Sequence, residues 1–301
     1  MNMAKLVWLN GEITPLESAK TSVADHAFLY GDGLFEGIRI YGGKIFKFNE
    51  HVDRIYHGAK CMGFEQMMPK EELKAIILDV CKQAGEESGY IRLNISRGTG
   101  LGLDPKNINR KPSVMVMVNV LALYPPSAFE TGLDVITTSF KVIPADSLDP
   151  RIKCIGRYAS NIMAKAEANR AGAGEGLMLN HEGYVAECTG DNLFIVKNGK
   201  ILTPQPSCGL LQGITRDTVI ELARRAGMEV EETLLTRYDL FTADECFLTG
   251  TAAEVIPMVT LDTQAIGEGK PGPITKRIME LFRAETRDTG TPFMTVAASA
   301  S

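Results

Sequence analysis

Short apolar runs broken by two-residue turn signals set the tightest limit on what this chain can fold into. Leu6–Leu9 leads into Asn10-Gly11, residues 38–41 and 45–48 flank Gly42-Gly43, and residues 193–202 turn at Asn198-Gly199. Asn-Gly and Gly-Gly supply the positive φ angles of a tight hairpin, so each predicts two antiparallel strands. Further hairpins are expected at residues 176–188, turning at His181-Glu182-Gly183, and at residues 246–261. Such a chain must build sheets.

Helical spacing fills the intervals. From Asn49, Val52, Ile55, Tyr56, Ala59 and Met62 recur at the period of a helix, as do Leu73, Ile76, Ile77, Val80 and Ala84 from Glu71. With strands over residues 90–96 and 114–123, residues 1–122 read as a small α+β domain. Pro125-Pro126, followed by Ser127, Glu130 and Gly132, predicts a linker over residues 123–132, because consecutive prolines fix φ and remove donors. Residues 133–301 then read as the larger domain. It opens on a strand over 133–140, passes a loop from Pro144 to Pro150, and enters a helix with Ala159, Ile162, Met163 and Ala166 on one face. Helices from Thr215 and Ile274 complete it, and the tail from Thr289 is expected to fray.

Composition narrows the class. Of the 301 residues, 45% are hydrophobic and 23% charged, the balance of a folded globular chain rather than a disordered one. Thirty-seven acids against 32 bases give a net charge of −5, the wrong sign for neutralising nucleic-acid phosphates, so small ligands are the expected partners. The longest apolar stretch, residues 114–124, is interrupted by Asn119 and falls short of the roughly 20 residues that span a bilayer. Lys5 and the short run after it do not make a secretory signal. Six cysteines without a C-x-x-C pair predict free thiols, and together these features predict a cytoplasmic protein with no membrane segment.

Several local signatures are missing: the G-x-S-x-G elbow, H-E-x-x-H, the phosphate-binding G-x-x-x-x-G-K-[ST] loop and the EF-hand loop. Gly31-x-Gly33 and Gly98-x-Gly100 lack the third glycine of a dinucleotide fingerprint. His51 and His57 stand six apart, on different faces of a helix, so no metal site is expected. Two turns are receptive to anions. Gly213-Ile214-Thr215-Arg216 opens an amphipathic helix whose first amides carry free N–H groups. Thr251-Ala252-Ala253-Glu254 has capping-box spacing, while Pro257 allows about one helical turn. Each is equally readable as an ordinary element start. Lys153, between a proline loop and a helix and flanked by apolar residues, is either a solvated lysine or an amine for Schiff-base chemistry. Glu187 ends an apolar strand, Arg54 lies on the first long helix, and Tyr90 and Arg92 share one strand face, a pair suited to a carboxylate.

In order, Asp25-His26-Ala27-Phe28-Leu29-Tyr30-Gly31-Asp32-Gly33-Leu34-Phe35-Glu36-Gly37-Ile38-Arg39, Arg54, Tyr90-Ile91-Arg92, Lys153, Glu187-Cys188-Thr189-Gly190-Asp191-Asn192 and the two anion turns resemble the fold-type IV pyridoxal-phosphate enzymes, and within them the branched-chain amino acid aminotransferases. The resemblance implies an α+β / α/β chain of two domains, a small N-terminal α/β lobe and a larger C-terminal pseudobarrel lobe carrying the Schiff-base lysine. It implies a transaminase of branched-chain amino acid biosynthesis that moves the amino group between leucine, isoleucine or valine and 2-oxoglutarate, alternating between pyridoxal and pyridoxamine phosphate.

Residue by residue, the resemblance makes Lys153 the cofactor anchor and proton carrier, Glu187 the partner of the pyridine nitrogen, and Tyr158 the contact of the ring hydroxyl. Arg54 and the amides of Ile214, Thr215 and Thr251 hold the phosphate. Tyr90 with the amides at Thr251 and Ala252 receives the α-carboxylate. Phe35, Tyr30 and Tyr124 wall the side-chain pocket, and Arg92 with Tyr30 meets the distal carboxylate of glutamate. The loop from Gly98 to Pro105 resembles a segment that a partner subunit extends over the pocket, which implies a homodimer or an assembly of dimers. Arg157 departs from the asparagine that many relatives have before the tyrosine. The alternatives are a D-amino-acid or (R)-amine transaminase, an aminodeoxychorismate lyase, and a cofactor-binding protein without activity. The D-specific pattern has its carboxylate-binding arginine near Ser96-Arg97-Gly98-Thr99, whereas Tyr90-x-Arg92 favours the L-specific branch.

Overall fold

The hairpins form where the turn dipeptides put them. Asn10 and Gly11 take φ of 52° and 110° and join β1 (Leu6–Leu9) to β2 (Glu12–Pro15). The protein, seen in a computed structural model, is described over residues 6–120 and 123–294. Its contacts divide it into two units, Met1–Leu121 with Ile152–Gly156 and Thr286–Ser301, and Ala122–Arg151 with Arg157–Glu285, each through its described residues. Lys153 therefore falls in the first unit and not in the C-terminal lobe expected from sequence. The reason is local pairing: the Phe35 amide donates to Lys153 O at 3.1 Å and the Ile155 amide to Gly33 O at 2.8 Å.

In the first unit, α1 (His26–Tyr30) precedes β3 (Gly33–Tyr41), which turns at Gly42 and Gly43 into β4 (Lys44–Ile45). The helices α2 (Phe48–Cys61) and α3 (Lys70–Ala84) follow, then β5 (Gly89–Ser96) and β6 (Ser113–Asn119). The sheet is antiparallel, in the order Thr291–Pro292, β4, β3, β5, β6, β1, β2. Period-two alternation decides its faces. Ile91, Leu93 and Ile95 of β5 are buried, as are Val52, Ile55 and Ala59 of α2, while Tyr90, Arg92 and Asn94 point to the other side and are half-buried. On β3 the register places Phe35 opposite Asn94 and Gly37 opposite Arg92, so these share that second face. The short α1 was not visible in the sequence pattern; the Asp25 carboxylate caps it, accepting the amides of Ala27 and Phe28. Within the expected fraying tail, Thr291–Pro292 pairs with β4. Residues 121 and 122, within the expected strand over 114–123, and residues 295–301 lie outside the described residues.

The second unit opens with α4 (Ala128–Thr131) and β7 (Leu133–Lys141), followed by α5 (Tyr158–Arg170), β8 (Glu175–Leu179) and β9 (Val185–Cys188). Next come β10 (Asn192–Lys197), β11 (Lys200–Pro204), α6 (Ile214–Arg225), β12 (Val230–Thr233) and α7 (Arg237–Phe241). The hairpin of β13 (Glu245–Gly250) and β14 (Glu254–Leu261), then β15 (Gln264–Ala265) and α8 (Pro273–Asp288), finish the order. The sheet runs β12, β11, β10, β13, β14, β7, β8, β9, with β15 on β14, and is parallel at β11/β12, β14/β7 and β7/β8.

Three expectations change here. Residues 123–132 are not a bare linker: the Pro125 and Pro126 carbonyls accept the amides of Ala128 and Phe129, and Tyr124 and Phe129 pack on the unit's core. Prolines that cannot donate still accept, and so start a turn. The buried side of α5 is Asn161, Ala164 and Ala168, while Ile162 and Met163 are 68% and 53% exposed. Small residues win that face because α5 lies close over β8; a Cβ at Gly176 would come 3.4 Å from Ala164 O. Finally, residues 251–253 form a hairpin turn and no helical turn, since Gly250 pairs with Glu254, whose φ is 58°.

Phe194 and Phe247 are opposite one another on β10 and β13, unexposed, with stacked rings 4.9 Å apart. Phe194→Ala is expected to lower unfolding free energy by about 3–5 kcal/mol, read as a reduced urea midpoint at unchanged slope.

Candidate active site

The open face of the first sheet gathers cations around one aromatic ring. The Phe35 ring, on β3, has the Arg92 guanidinium carbon 3.8 Å from its centroid and Lys153 Nζ at 4.7 Å. Cations are attracted to the face of an aromatic ring, and the ring shields their flank from water. Arg92 is aimed by Asn94, whose Oδ1 accepts its Nε at 2.7 Å. Tyr90 lies beside Gly37, where a Cβ would fall 1.9 Å from the phenol oxygen, so a side chain at 37 and this placement of Tyr90 exclude each other. Tyr30, 44% exposed at the end of α1, accepts the Gly102 amide at 3.1 Å and ties down the loop that carries Leu101 and Leu103, both largely exposed. Of the residues expected at the site, Tyr30, Phe35, Tyr90, Arg92 and Lys153 lie in this unit, while Tyr124, Thr251 and Ala252 lie in the other.

The opposite face of β3 carries a network that sequence reasoning missed. Glu36, unexposed, points toward α2 and accepts Arg54 Nε at 2.7 Å, Arg54 Nη2 at 2.8 Å and His51 Nδ1 at 2.7 Å. Burial raises the Glu36 carboxyl, but the charges and hydrogen bonds of Arg54 and His51 outweigh it and bring it to about 2. Burial holds the His51 imidazole below its usual value despite Glu36. The three-residue step from His51 to Arg54 and the acid at Glu36 were the available signal; a charged residue alternating with Leu34, Ile38 and Ile40 on a strand's apolar face requires a buried partner. A second fork joins Arg97 to Asp32, Nε to Oδ2 at 2.6 Å and Nη2 to Oδ1 at 3.0 Å, with His26 Nδ1 3.0 Å from Oδ2. Arg97 is thereby committed to the scaffold.

In the second unit Glu187, 5% exposed near the end of β9, is fixed at both oxygens. Oε1 accepts Arg157 Nη2 at 2.6 Å and Oε2 accepts the Leu211 amide at 2.8 Å. Tyr158 is the first residue of α5, its ring 5.9 Å from the Arg157 guanidinium carbon. Gly213 caps α6 with no side chain to bond the first amides, including those of Ile214 and Thr215, and a Cβ there would lie 2.1 Å from Asn192 Oδ1. An uncapped helix start of this kind suits a phosphate. In the β13–β14 turn, Thr251 and Ala252 are half-buried, and the Thr249 hydroxyl before them is buried with no hydrogen-bond partner among the described residues.

Tyr124 is placed differently from expectation. It packs on the core, and its hydroxyl donates toward Glu175 Oε2 at 3.1 Å and Asp191 Oδ2 at 3.3 Å. It belongs to a buried polar cluster in this unit rather than to an apolar wall. Burial, then the neighbouring Glu175 charge, pushes the Asp191 carboxyl up to about 7. The same surroundings raise the Tyr124 phenol well above its usual range.

A mixed-sheet chain with these side chains fits a known class. The amino-transferase class IV family model matches residues 33–261, and the chain belongs to that family. It is 37% identical over 300 residues to the branched-chain-amino-acid aminotransferase of Escherichia coli strain K12, covering 95% of each chain. It is also similar to two crystal structures of the T.th. branched-chain amino acid aminotransferase. The one with pyridoxamine 5'-phosphate gives a TM-score of 0.90 at 41% identity over 95% of both chains. The one complexed with N-(5'-phosphopyridoxyl)-L-glutamate gives 0.88 at 40% identity, again over 95% of both. The α+β / α/β, fold-type IV architecture expected from sequence stands. All six cysteines are free, and no described helix is long and apolar enough to cross a membrane.

The Glu36 carboxyl is lower in the folded chain than its ordinary value of 4.5, so its stabilisation is complete above that pH and is lost as pH falls toward 2. A drop of that size corresponds to roughly 3 kcal/mol. In acid titrations of stability, Glu36→Gln should flatten this limb and lower stability at neutral pH; an unchanged acid limb would show that the network does not set it.

Proposed function

We propose that the chain is a pyridoxal-phosphate-dependent transaminase that exchanges the amino group between L-branched-chain amino acids and 2-oxoglutarate. The observation that carries this reading is the Phe35 ring, with an amine and a guanidinium over it and Tyr90 on the same sheet face. An amino acid with an apolar side chain asks for an amine-bearing residue, an apolar wall and donors for its carboxylate, and that face offers all three. Family membership and the likeness to the crystal structures with pyridoxamine 5'-phosphate and with phosphopyridoxyl-glutamate support the cofactor.

The chain's residues suit such a cofactor. Lys153 supplies the amine, Glu187 a carboxylate with both oxygens anchored and acceptor capacity left over, and Gly213 an uncapped helix start. When bound, the cofactor supplies an electrophilic carbonyl and a ring that withdraws electrons from the substrate's α-carbon. Lys153 Nζ holds the cofactor and carries the proton taken from that carbon. Glu187 would accept an N–H from the ring nitrogen and Tyr158 would hydrogen-bond the ring oxygen. By its likeness to the family, Arg54, fixed by Glu36, would serve the phosphate from the first unit, and the amides of Ile214, Thr215 and Thr251 would serve it from the second. By the same likeness, Tyr90 of the first unit and the turn amides at Thr251 and Ala252 of the second would be the donors for the α-carboxylate. Phe35 and Tyr30 bound the apolar pocket, and Arg92 receives the second carboxylate of glutamate.

The commitment of Arg97 to Asp32 weighs against the D-specific alternative, which needs an arginine near that position for substrate. Leu101 and Leu103, 74% and 80% exposed, support burial against a second copy, and the reading includes a homodimer acting in the cytoplasm.

Purified protein loaded with cofactor should absorb in the visible, shift when leucine is added and return with 2-oxoglutarate. Lys153→Ala should lose at least about 10³-fold in rate and give no borohydride-trapped adduct. Silence toward every amino donor would remove the transaminase reading, and an adduct surviving in Lys153→Ala would mean another lysine is the anchor. Light scattering should return twice the chain mass or an even multiple of it; a monomer at micromolar concentration would remove the dimer.

A further inference from the structure

Arg157 stands directly before α5 with 2% of its surface exposed. A guanidinium has five N–H donors and does not lose its charge, so in the interior it needs acceptors on several sides. Nη1 donates to Pro150 O at 3.3 Å, and Nη2 donates to Gly209 O at 3.4 Å as well as to Glu187 Oε1 at 2.6 Å. One side chain therefore gathers three stretches of the second unit: the loop ending at Pro150, the end of β9, and the loop ahead of α6. The same loop is held from its other side. Leu211 gives its amide to Glu187 Oε2, and its carbonyl accepts Asn192 Nδ2 at 2.8 Å. Two residues later comes Gly213, against the Asn192 side chain. The carboxylate and the start of α6 are thus linked through residues 211–213, and Arg157 bonds the carboxylate and Gly209, at the head of the same loop.

We propose that Arg157 is a positioning residue for the cofactor: its guanidinium fixes the direction of the Glu187 carboxylate and ties it to the loop that presents the first amides of α6. This rests on the pyridoxal-phosphate reading above. A buried ion pair that served stability alone would gain nothing by leaving its carboxylate open to another donor. Each Glu187 oxygen accepts one bond here, while a carboxylate has room for about four, so a ring N–H can still be received. The charge on Arg157 also adds to the field at whatever group meets that carboxylate, so its removal is read in the titration of the bound cofactor.

The test compares Arg157→Gln and Arg157→Lys with the unaltered protein, each loaded with pyridoxal 5'-phosphate, by pH titration of visible absorbance and by the rate of cofactor release into excess apo-acceptor. Arg157→Gln keeps a hydrogen-bonding side chain without the charge. Its absorbance pKa should move by about one unit or more, and its release should quicken about tenfold. Arg157→Lys keeps the charge with a shorter, unforked reach. Its absorbance pKa should stay near that of the unaltered protein, while release quickens at least about threefold. A folded Arg157→Gln with unchanged pKa and release would overturn the proposal, whatever happens to its melting temperature. If Arg157→Gln does not fold, Arg157→Lys decides alone, and release as slow as in the unaltered protein overturns it. Absence of any visible band in the unaltered protein would instead refute the cofactor reading, and this proposal with it.

Discussion

A carboxylate taken out of water is costly unless charged donors surround it, and removing one partner costs more than the pair is worth. Glu36 meets that condition at zero exposure, between β3 and α2, with three charge-assisted or imidazole contacts on its two oxygens. The arrangement depends on strand alternation. Because Glu36 faces the helices, Phe35 and Gly37 face the other way, and the ring that gathers Arg92 and Lys153 is placed by the same two-residue period. Arg54 is fixed from the scaffold side by both oxygens of Glu36. Glu187 repeats the solution in the second unit with Arg157 and a backbone amide.

Much of this was legible in the sequence where geometry is short-range. Turn dipeptides gave the hairpins because positive φ is a local demand, and helical spacing gave α2, α3 and α6 because their buried stripes are wide. α5 was read correctly as a helix but turned the wrong way. Its large apolar residues Ile162 and Met163 are outward and Asn161, Ala164 and Ala168 inward, a choice made by the closeness of β8 that no hydrophobic count reveals. Tyr124 was misplaced for a similar reason. An aromatic residue looks like a pocket wall until Glu175 and Asp191, 51 and 67 residues away, are found at its hydroxyl.

The family was legible through the resemblance of its motifs, and the surroundings of the residues in those motifs were not. Nothing in the spacing of Glu36, His51 and Arg54 names their shared hydrogen bonds, and Arg157 read only as a departure from the usual residue. Contacts of that kind join elements distant in sequence and are visible only after folding. The free amides at Gly213 lie between these cases: the motif marked a helix start, and the structure added that Asn192 occupies the space a side chain would need.

The pairing of residues 153–155 with β3 has a consequence for how the chain can be cut. Five residues of the first unit, Ile152–Gly156, are spliced into the middle of the second, and Thr286 onward returns to the first. A fragment ending near residue 120 lacks the strip that borders β3 and the short strand that borders β4, and a fragment starting near residue 123 carries both without their neighbours. Neither half of the polypeptide is a self-sufficient folding piece, and the lysine goes with the fragment that lacks its sheet.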